Sequence, residues 1–123
     1  MTNLAAARNG YASASAPTRS ERSIEYDVLA QITRRLKEAA GKGPSGFASL
    51  ASALHDNKRL WNVFALDVAD PQNQLPDTLR ARLFYLAEFT HSHTSAVLQR
   101  RAQVEPLIDI NMAVLRGLRG GVE

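Results

Sequence analysis

Three histidines are the side chains of this sequence best suited to metal binding or proton transfer. His91 and His93 lie two residues apart, and His55 is remote from both in the sequence. Residues two apart on a helix do not share a face, so this pair is a poor set of metal ligands there. The chain has no cysteine, which excludes thiolate catalysis and cysteine-ligated zinc. The sequence therefore predicts no metal site, and we expect the histidines at the surface or at the edge of the core.

Two carboxylates, Asp67 and Asp70, are spaced to lie on neighbouring turns of a helix. A carboxylate pair can perform acid–base catalysis only in a pocket that shifts its pKa values. A position at the end of a helix beside a cation such as Arg80 is the simpler interpretation. No serine lies in the strand-turn-helix elbow of a hydrolase. We predict no catalytic residue and no cofactor, and we expect a protein that is not an enzyme.

The composition suits one domain with a packed interior, since the chain has 123 residues, of which 45% are hydrophobic. The net charge is +3, and acidic residues interrupt the basic ones. A nucleic-acid-binding protein usually gathers positive charge on one face. No apolar run reaches the ~20 residues that span a bilayer, and residues 1–17 lack the apolar stretch of a secretory signal. We expect a cytoplasmic protein with no membrane partner.

Apolar residues recur at helical spacing in every long segment, which predicts an all-α fold. The expected architecture is a small bundle of four main helices over residues 19–40, 45–68, 76–102 and 106–118. Residues 1–17 are rich in alanine and thinly apolar, which predicts a loosely attached helical segment. The bundle domain is expected over residues 18–119, and a flexible tail over residues 120–123.

Polar residues and proline mark the predicted helix ends. Thr18 and Glu21 have the spacing of a capping box, Ser45 can cap the second helix, and Pro76 suits the first turn of the third. The polar residues 90–95 predict a bend in the third helix. The apolar side chains predicted to lie in the core are Val28, Leu50, Leu54, Phe64, Leu83 and Leu86.

Trp61 is the sole tryptophan, and the sequence leaves two interpretations of it open. Its spacing with Phe64 and Val68 is typical of the inner face of a helix. Alternatively, its ring lines a groove for an incoming helix, since aromatic anchors dominate interface energetics. The last helix, residues 106–118, is apolar on more than one side, which is typical of a central helix or of one that receives a partner. The residues predicted to bind a partner are Lys58, Arg59, Trp61, Ile110, Val114 and Leu118.

Two stretches carry a resemblance to a known family. The first contains Leu60-Trp61, Asp67, Asn73, Leu75-Pro76 and Leu79-Arg80, and the second is the run Pro106–Asn111, followed by Gly117-Leu118. Together they resemble the flagellar biosynthesis regulator FlaF family. Tyr11 and the helix over residues 22–36 add a weaker similarity, whereas the polar residues 91–95 depart from the pattern.

The resemblance implies a cytoplasmic, non-enzymatic protein that supports the synthesis and export of flagellin. It also implies flagellin as a partner and a role opposite a FlbT-type repressor, which restrains flagellin synthesis at the mRNA level. Helix-in-groove binding of the helical ends of flagellin is compatible with the apolar pattern. One alternative is an RNA-binding regulator that uses Arg34, Arg35, Lys58, Arg59 and Arg80. The other is a structural homodimer whose extra apolar surface is covered by a second copy.

Overall fold

The computed structural model describes residues 21–122, with side chains described for residues 23–117. Within this range the chain is helical and contains no strand, so the predicted all-α fold is confirmed. The helices are α1 (Glu21–Gly41), α2 (Phe47–Ala69), α3 (Asp77–Leu98) and α4 (Glu105–Val122), and a short 3-10 turn at Gly43–Gly46 joins α1 to α2. The predicted N-terminal segment, residues 1–17, and the Thr18–Glu21 capping box lie outside the described residues.

The four helices form a bundle in which consecutive helices run antiparallel, as their short connections require. α2 lies between α1 and α3 and packs closely on both. α4 packs mainly on α1, approaches α3 over a shorter stretch, and stands diagonally across the bundle from α2. An ion pair between Arg35 and Asp56, at 2.8 Å, marks the edge where α1 meets α2.

The core is built from one apolar stripe on each helix. Its fully buried members come from α1, α2 and α4: Leu29, Leu36, Leu54, Leu60, Trp61 and Leu107. Of the six side chains predicted in the core, Leu54 and Phe64 are buried, and Val28, Leu50 and Leu86 pack against the core while partly exposed. Leu83 is only half-buried and lies outside this cluster, so its prediction was wrong.

The connection between α1 and α2 depends on two glycines. Gly43 has a φ of 64°, in the left-handed region that glycine adopts without a steric penalty. Gly46 is buried, and a Cβ there would lie 2.6 Å from the carbonyl oxygen of Ala39. Ser45 does not cap α2, because its hydroxyl donates back to the Lys42 carbonyl at 3.0 Å and Gly46 takes the N-cap position. The predicted Ser45 cap was therefore wrong.

The end of α3 differs from the prediction for a local reason. The amides of Arg100 and Arg101 donate to the carbonyls of Val97 and Ala96, both at 2.9 Å, which is the pattern of a Schellman motif. Arg100 takes the left-handed position, with a φ of 61°, and its guanidinium lies 4.2 Å from the centre of the Phe47 ring. Because arginine is not a typical residue for this position, the sequence contained no signal that α3 ends at Leu98 instead of near residue 102.

The polar residues 90–95 continue α3 without ending it. Thr90 and Thr94 are buried, and the Thr94 hydroxyl donates to the Thr90 carbonyl at 2.6 Å. This bond satisfies the Thr94 hydroxyl inside the helix, whereas the buried Thr90 hydroxyl has no hydrogen-bond partner. The last helix extends to Val122, beyond the predicted end at residue 118. Among residues 21–122, no helix combines the length and apolar character needed to cross a bilayer.

Candidate partner-binding site

The histidines do not assemble into a chemical site. His55 and His91 are exposed on different helices. His93 is half-buried, stacks on Phe89 with ring centres 5.1 Å apart, and has its Nε2 atom 2.7 Å from the Gln103 carbonyl oxygen. In the part of the chain that the structure describes, no three His, Asp or Glu side chains are grouped so that they could hold a metal ion. The role of His93 is therefore to join α3 to the segment before α4.

The carboxylate pair belongs to the turn that ends α2. Asp70 Oδ1 accepts from the amide of Gln72 at 2.9 Å. Asn73 donates through Nδ2 to the Asp67 carbonyl at 2.9 Å, and its Oδ1 accepts from the amide of Leu75 at 3.0 Å. These bonds satisfy backbone groups that the end of a helix leaves free. The local arrangement is a structural turn.

Arg80 completes this helix end. Its Nε donates to the Val68 carbonyl at 3.0 Å, and its Nη2 donates to the Asp70 carbonyl at 3.3 Å. A cation at the C-terminus of a helix also complements the negative end of the helix dipole. The predicted position of Arg80 beside the end of α2 is confirmed. Pro76 lies at the N-cap of α3, one position before the predicted first turn.

Trp61 is part of the core, which decides between its two interpretations. It is 1% exposed and packs edge to face on Phe64, with ring centres 5.2 Å apart. Its Nε1 donates to Asn111 Oδ1 on α4 at 3.0 Å. The ring therefore does not line an open groove, and the direct partner contact predicted for Trp61 is not compatible with its position in this conformation.

A chain of buried amides extends from this contact. Asn111 donates through Nδ2 to Asn57 Oδ1 on α2 at 2.8 Å. Both asparagines are 0% exposed, and the Nδ2 of Asn57 has no hydrogen-bond partner. We call Asn57, Trp61 and Asn111 the buried polar chain. Sequence reasoning did not find it, although an asparagine in the middle of each apolar row was the available signal.

The other residues predicted to bind a partner do not form one surface. Ile110 and Val114 are half-buried on α4, whereas Lys58 and Arg59 are half-buried on α2, the helix diagonally opposite. Asn57 points into the bundle, and each further residue turns about 100° around the helix, so Lys58 and Arg59 point away from α4. Lys58 and Arg59 therefore do not share a surface with Ile110 and Val114. The side chain of Leu118 lies outside the described residues.

Ile110 and Val114 instead face α3. The Arg35–Asp56 contact places α1 on one side of α2, and α3, which packs on α2 but not on α1, lies on the other side. This order of helices, with the right-handed turn of α4, directs Ile110 and Val114 toward α3 and the opposite edge of α4 toward α1. α4 and α3 approach each other closely over only a short stretch.

The facing edge of α3 is also apolar. Leu86 and Phe89 are half-buried and pack against the core, and Leu83 lies one turn before them. Tyr85 borders this edge and is 66% exposed. We call the surface formed by Leu83, Leu86, Phe89, Ile110 and Val114 the α3–α4 seam. A further exposed apolar pair, Leu66 at 74% and Phe84 at 43%, belongs to the outer side of α2 and α3.

Comparison with known proteins identifies the family of the chain. The family model described as "Flagellar protein FlaF" matches residues 7–118. The chain belongs to the FlaF family. No curated protein and no solved structure matches it significantly.

Several of the residues that carried the resemblance to FlaF proteins have structural roles here. Leu60 and Trp61 are core residues, Asn73 and Arg80 close the end of α2, and Asn111 forms the buried polar chain. These positions hold the bundle together and do not form an exposed site. The α3–α4 seam is therefore the best candidate for partner binding, since it combines half-buried apolar residues from two helices that pack together over a short length.

Proposed function

We propose that this FlaF-family protein is a cytoplasmic, non-enzymatic flagellar regulator that binds flagellin like a chaperone. In this role it promotes the synthesis and export of flagellin and acts opposite a FlbT-type repressor. Membership of the FlaF family supports a flagellar role. The single structural observation that supports flagellin binding is the α3–α4 seam, an apolar surface between two helices that only partly cover each other.

The physical argument concerns an amphipathic helix. A helix whose apolar face contacts the seam removes the exposed parts of Leu86, Phe89 and Tyr85 from water. Burial of apolar surface contributes about 25 cal/mol per Å², and exposed aromatic residues are frequent anchors of such interfaces. Flagellin fits this requirement because its ends are helical and unpaired before the filament assembles.

Isothermal titration calorimetry with purified flagellin tests the proposal. We expect the paired substitutions Tyr85→Ala and Leu86→Ala to weaken binding by about tenfold or more, since two contacts worth roughly 1 kcal/mol each are lost. Leu66→Ala is the matched control, because Leu66 is 74% exposed on the far side of α2 and its truncation should leave affinity unchanged. Circular dichroism verifies the fold, and Tyr85→Ala alone serves if the pair is unstable. A folded variant that binds with wild-type affinity would exclude the α3–α4 seam.

The RNA alternative predicts a different salt dependence. Phosphate binding weakens log-linearly with salt, whereas apolar binding changes little. Of the five basic residues on which that alternative rests, Arg35 pairs with Asp56, and Arg80 donates to carbonyls at the end of α2. Two of the five cations therefore bind groups of the protein itself. Calorimetric titration with RNA and with flagellin, each at two salt concentrations, separates the two modes by how strongly the affinity falls with salt.

The homodimer is the second candidate, favoured by the exposed Leu66 and Phe84. A stable dimer buries about 800 Å² per partner, so these two residues would form only the centre of such an interface. Analytical ultracentrifugation of the wild type and of Leu66→Ser measures whether the chain dimerises and whether Leu66 contributes to the dimer. A dimer that Leu66→Ser dissociates, without loss of flagellin binding, would assign this face to self-association.

A further inference from the structure

The cover that α4 forms over Trp61 is polar at its centre. Three residues of α4, spaced four apart, point into the bundle: Leu107 is 0% exposed, Asn111 0% and Leu115 9%. Residues at this spacing share one face of a helix. Asn111, the middle residue of the three, bonds Trp61 and therefore places an amide between two aliphatic side chains. The hydrogen bonds of this amide join α4 to α2, and the two helices have no close backbone approach.

This central contact is incomplete. Asn57 Nδ2 is buried and unpaired, although its own Oδ1 accepts from Asn111. A buried donor without a partner loses its bond to water and gains nothing in return, which weakens the closed arrangement relative to one in which water reaches Asn57. Opening of α4 would let water reach this donor.

Two further features weaken the attachment of α4. Its contact with α3 is short, whereas α2 packs closely on both α1 and α3. Gly117 is exposed within α4, and nothing lies within 4 Å of where its Cβ would be. A glycine inside a helix lowers helix stability without giving a packing advantage here.

We propose that α4 is a displaceable cover, and that a partner helix takes its place over Trp61 and Asn57. The identity of the partner, a helical end of flagellin, rests on the proposed function. α1, α2 and α3 remain packed when α4 leaves, because α2 lies between α1 and α3 and packs closely on both. The partner also contacts Leu86 and Phe89, the α3 side of the α3–α4 seam, whereas Ile110 and Val114 leave with α4.

The uncovered surface specifies the chemistry of the helix that it binds. Trp61 Nε1 requires an acceptor and Asn57 Oδ1 requires a donor, and Asn111 supplies both from one side chain. An amide provides an acceptor and a donor together, whereas a carboxylate provides acceptors only. The partner helix therefore carries a side chain that both accepts and donates, such as Asn or Gln, with aliphatic residues four positions before and after it, as α4 does with Leu107 and Leu115.

Hydrogen exchange of the full chain, measured by mass spectrometry, tests the displacement in the free protein. We expect amides of residues 107–117 to exchange at least about tenfold faster than those of α2, through an opening that leaves α1, α2 and α3 protected. Exchange of α4 and α2 at the same rate, with the same denaturant dependence, would overturn the proposal, since it would mean that α4 opens only by global unfolding.

Addition of purified flagellin gives the second measurement. We expect binding to remove protection from α4 while α2 stays protected. Added protection in α4 would show that flagellin sits beside α4, which overturns displacement and leaves flagellin binding intact. Absence of any binding would contradict the proposed function, whereas the exchange of the free protein would still decide whether α4 opens.

Ile110→Ala distinguishes the two modes of binding by the sign of its effect. Ile110 is half-buried on α4 and faces α3, so its truncation weakens attachment of α4. If α4 must leave, a larger open population raises the apparent affinity for flagellin, by about fivefold for a loss of roughly 1 kcal/mol. If flagellin binds against α4 in place, the same substitution lowers affinity, and that result would overturn the proposal. Leu66→Ala again serves as the control.

Discussion

Asn111→Ala should be among the most destabilising polar substitutions in this protein. Asn111 is 0% exposed, accepts from Trp61 Nε1 at 3.0 Å and donates to Asn57 Oδ1 at 2.8 Å. Its truncation leaves both groups buried without a partner, and each such group costs about 1–3 kcal/mol. With a small cavity added, we expect a loss of about 2–5 kcal/mol in the free energy of unfolding. This is a large part of the roughly 5–15 kcal/mol typical of a folded domain.

Asn57→Ala is the matched comparison, because it acts on the other end of the same bond. It leaves the Nδ2 of Asn111 without an acceptor, but it also removes the unpaired Nδ2 of Asn57. The Trp61 bond to Asn111 survives. We therefore expect Asn57→Ala to cost roughly half as much as Asn111→Ala. The double substitution should cost less than the sum of the two, by about 1 kcal/mol, since both remove one shared bond.

Thermal and urea unfolding, followed by far-UV circular dichroism and by the fluorescence of Trp61, measure these differences. At roughly 3–6 °C per kcal/mol for a chain of this size, Asn111→Ala should lower Tm by about 10 °C or more. Leu66→Ala should change stability by less than about 0.5 kcal/mol, because its side chain is exposed. The reasoning fails if Asn57→Ala costs as much as Asn111→Ala, or if Asn111→Ala costs under about 1 kcal/mol.

Two predictions concern the packing of α2 and α3. Leu54 is 0% exposed, so Leu54→Ala should cost about 2–5 kcal/mol. Leu83 is half-buried, so Leu83→Ala should cost roughly half of that, and equal losses in urea unfolding would contradict the burial argument. Arg80→Ala removes the donors to the Val68 and Asp70 carbonyls, and should cost about 1–2 kcal/mol. Arg82→Ala, exposed on the same helix, is its control, and equal Tm values for the two variants would show that the contacts of Arg80 contribute nothing measurable.

Local patterns along the chain were enough to predict much of the fold. The apolar periodicity predicted four helices, and the one predicted over residues 45–68 is continuous from Phe47 to Ala69. The position of Arg80 beside the end of α2 also followed from local order. Helix ends were harder to predict. Ser45 had the composition of a cap but bonds backward, and Arg100 ends α3 in a conformation that usually signals glycine.

The candidate site could be predicted less well, because its residues come from different helices. Ile110 and Val114 were recognised as surplus apolar residues on α4. Their neighbours were predicted on α2, at Lys58 and Arg59, whereas the structure places α3 beside them. The facing residue Leu86 was predicted only as core. A sequence pattern shows which residues of one helix share a face, but it contains no information about which helix that face meets.

The helical character of the chain, its approximate helix boundaries and the resemblance to FlaF proteins follow from local sequence patterns, since each depends on residues close together in the chain. The burial of Trp61, the bond between Asn57 and Asn111 across 54 positions, and the position of α4 diagonally opposite α2 depend instead on how the helices pack. The physical reason is that a polar side chain inside an apolar row is costly until a partner from another helix satisfies it. Which partner does so depends on how the helices are ordered around the core.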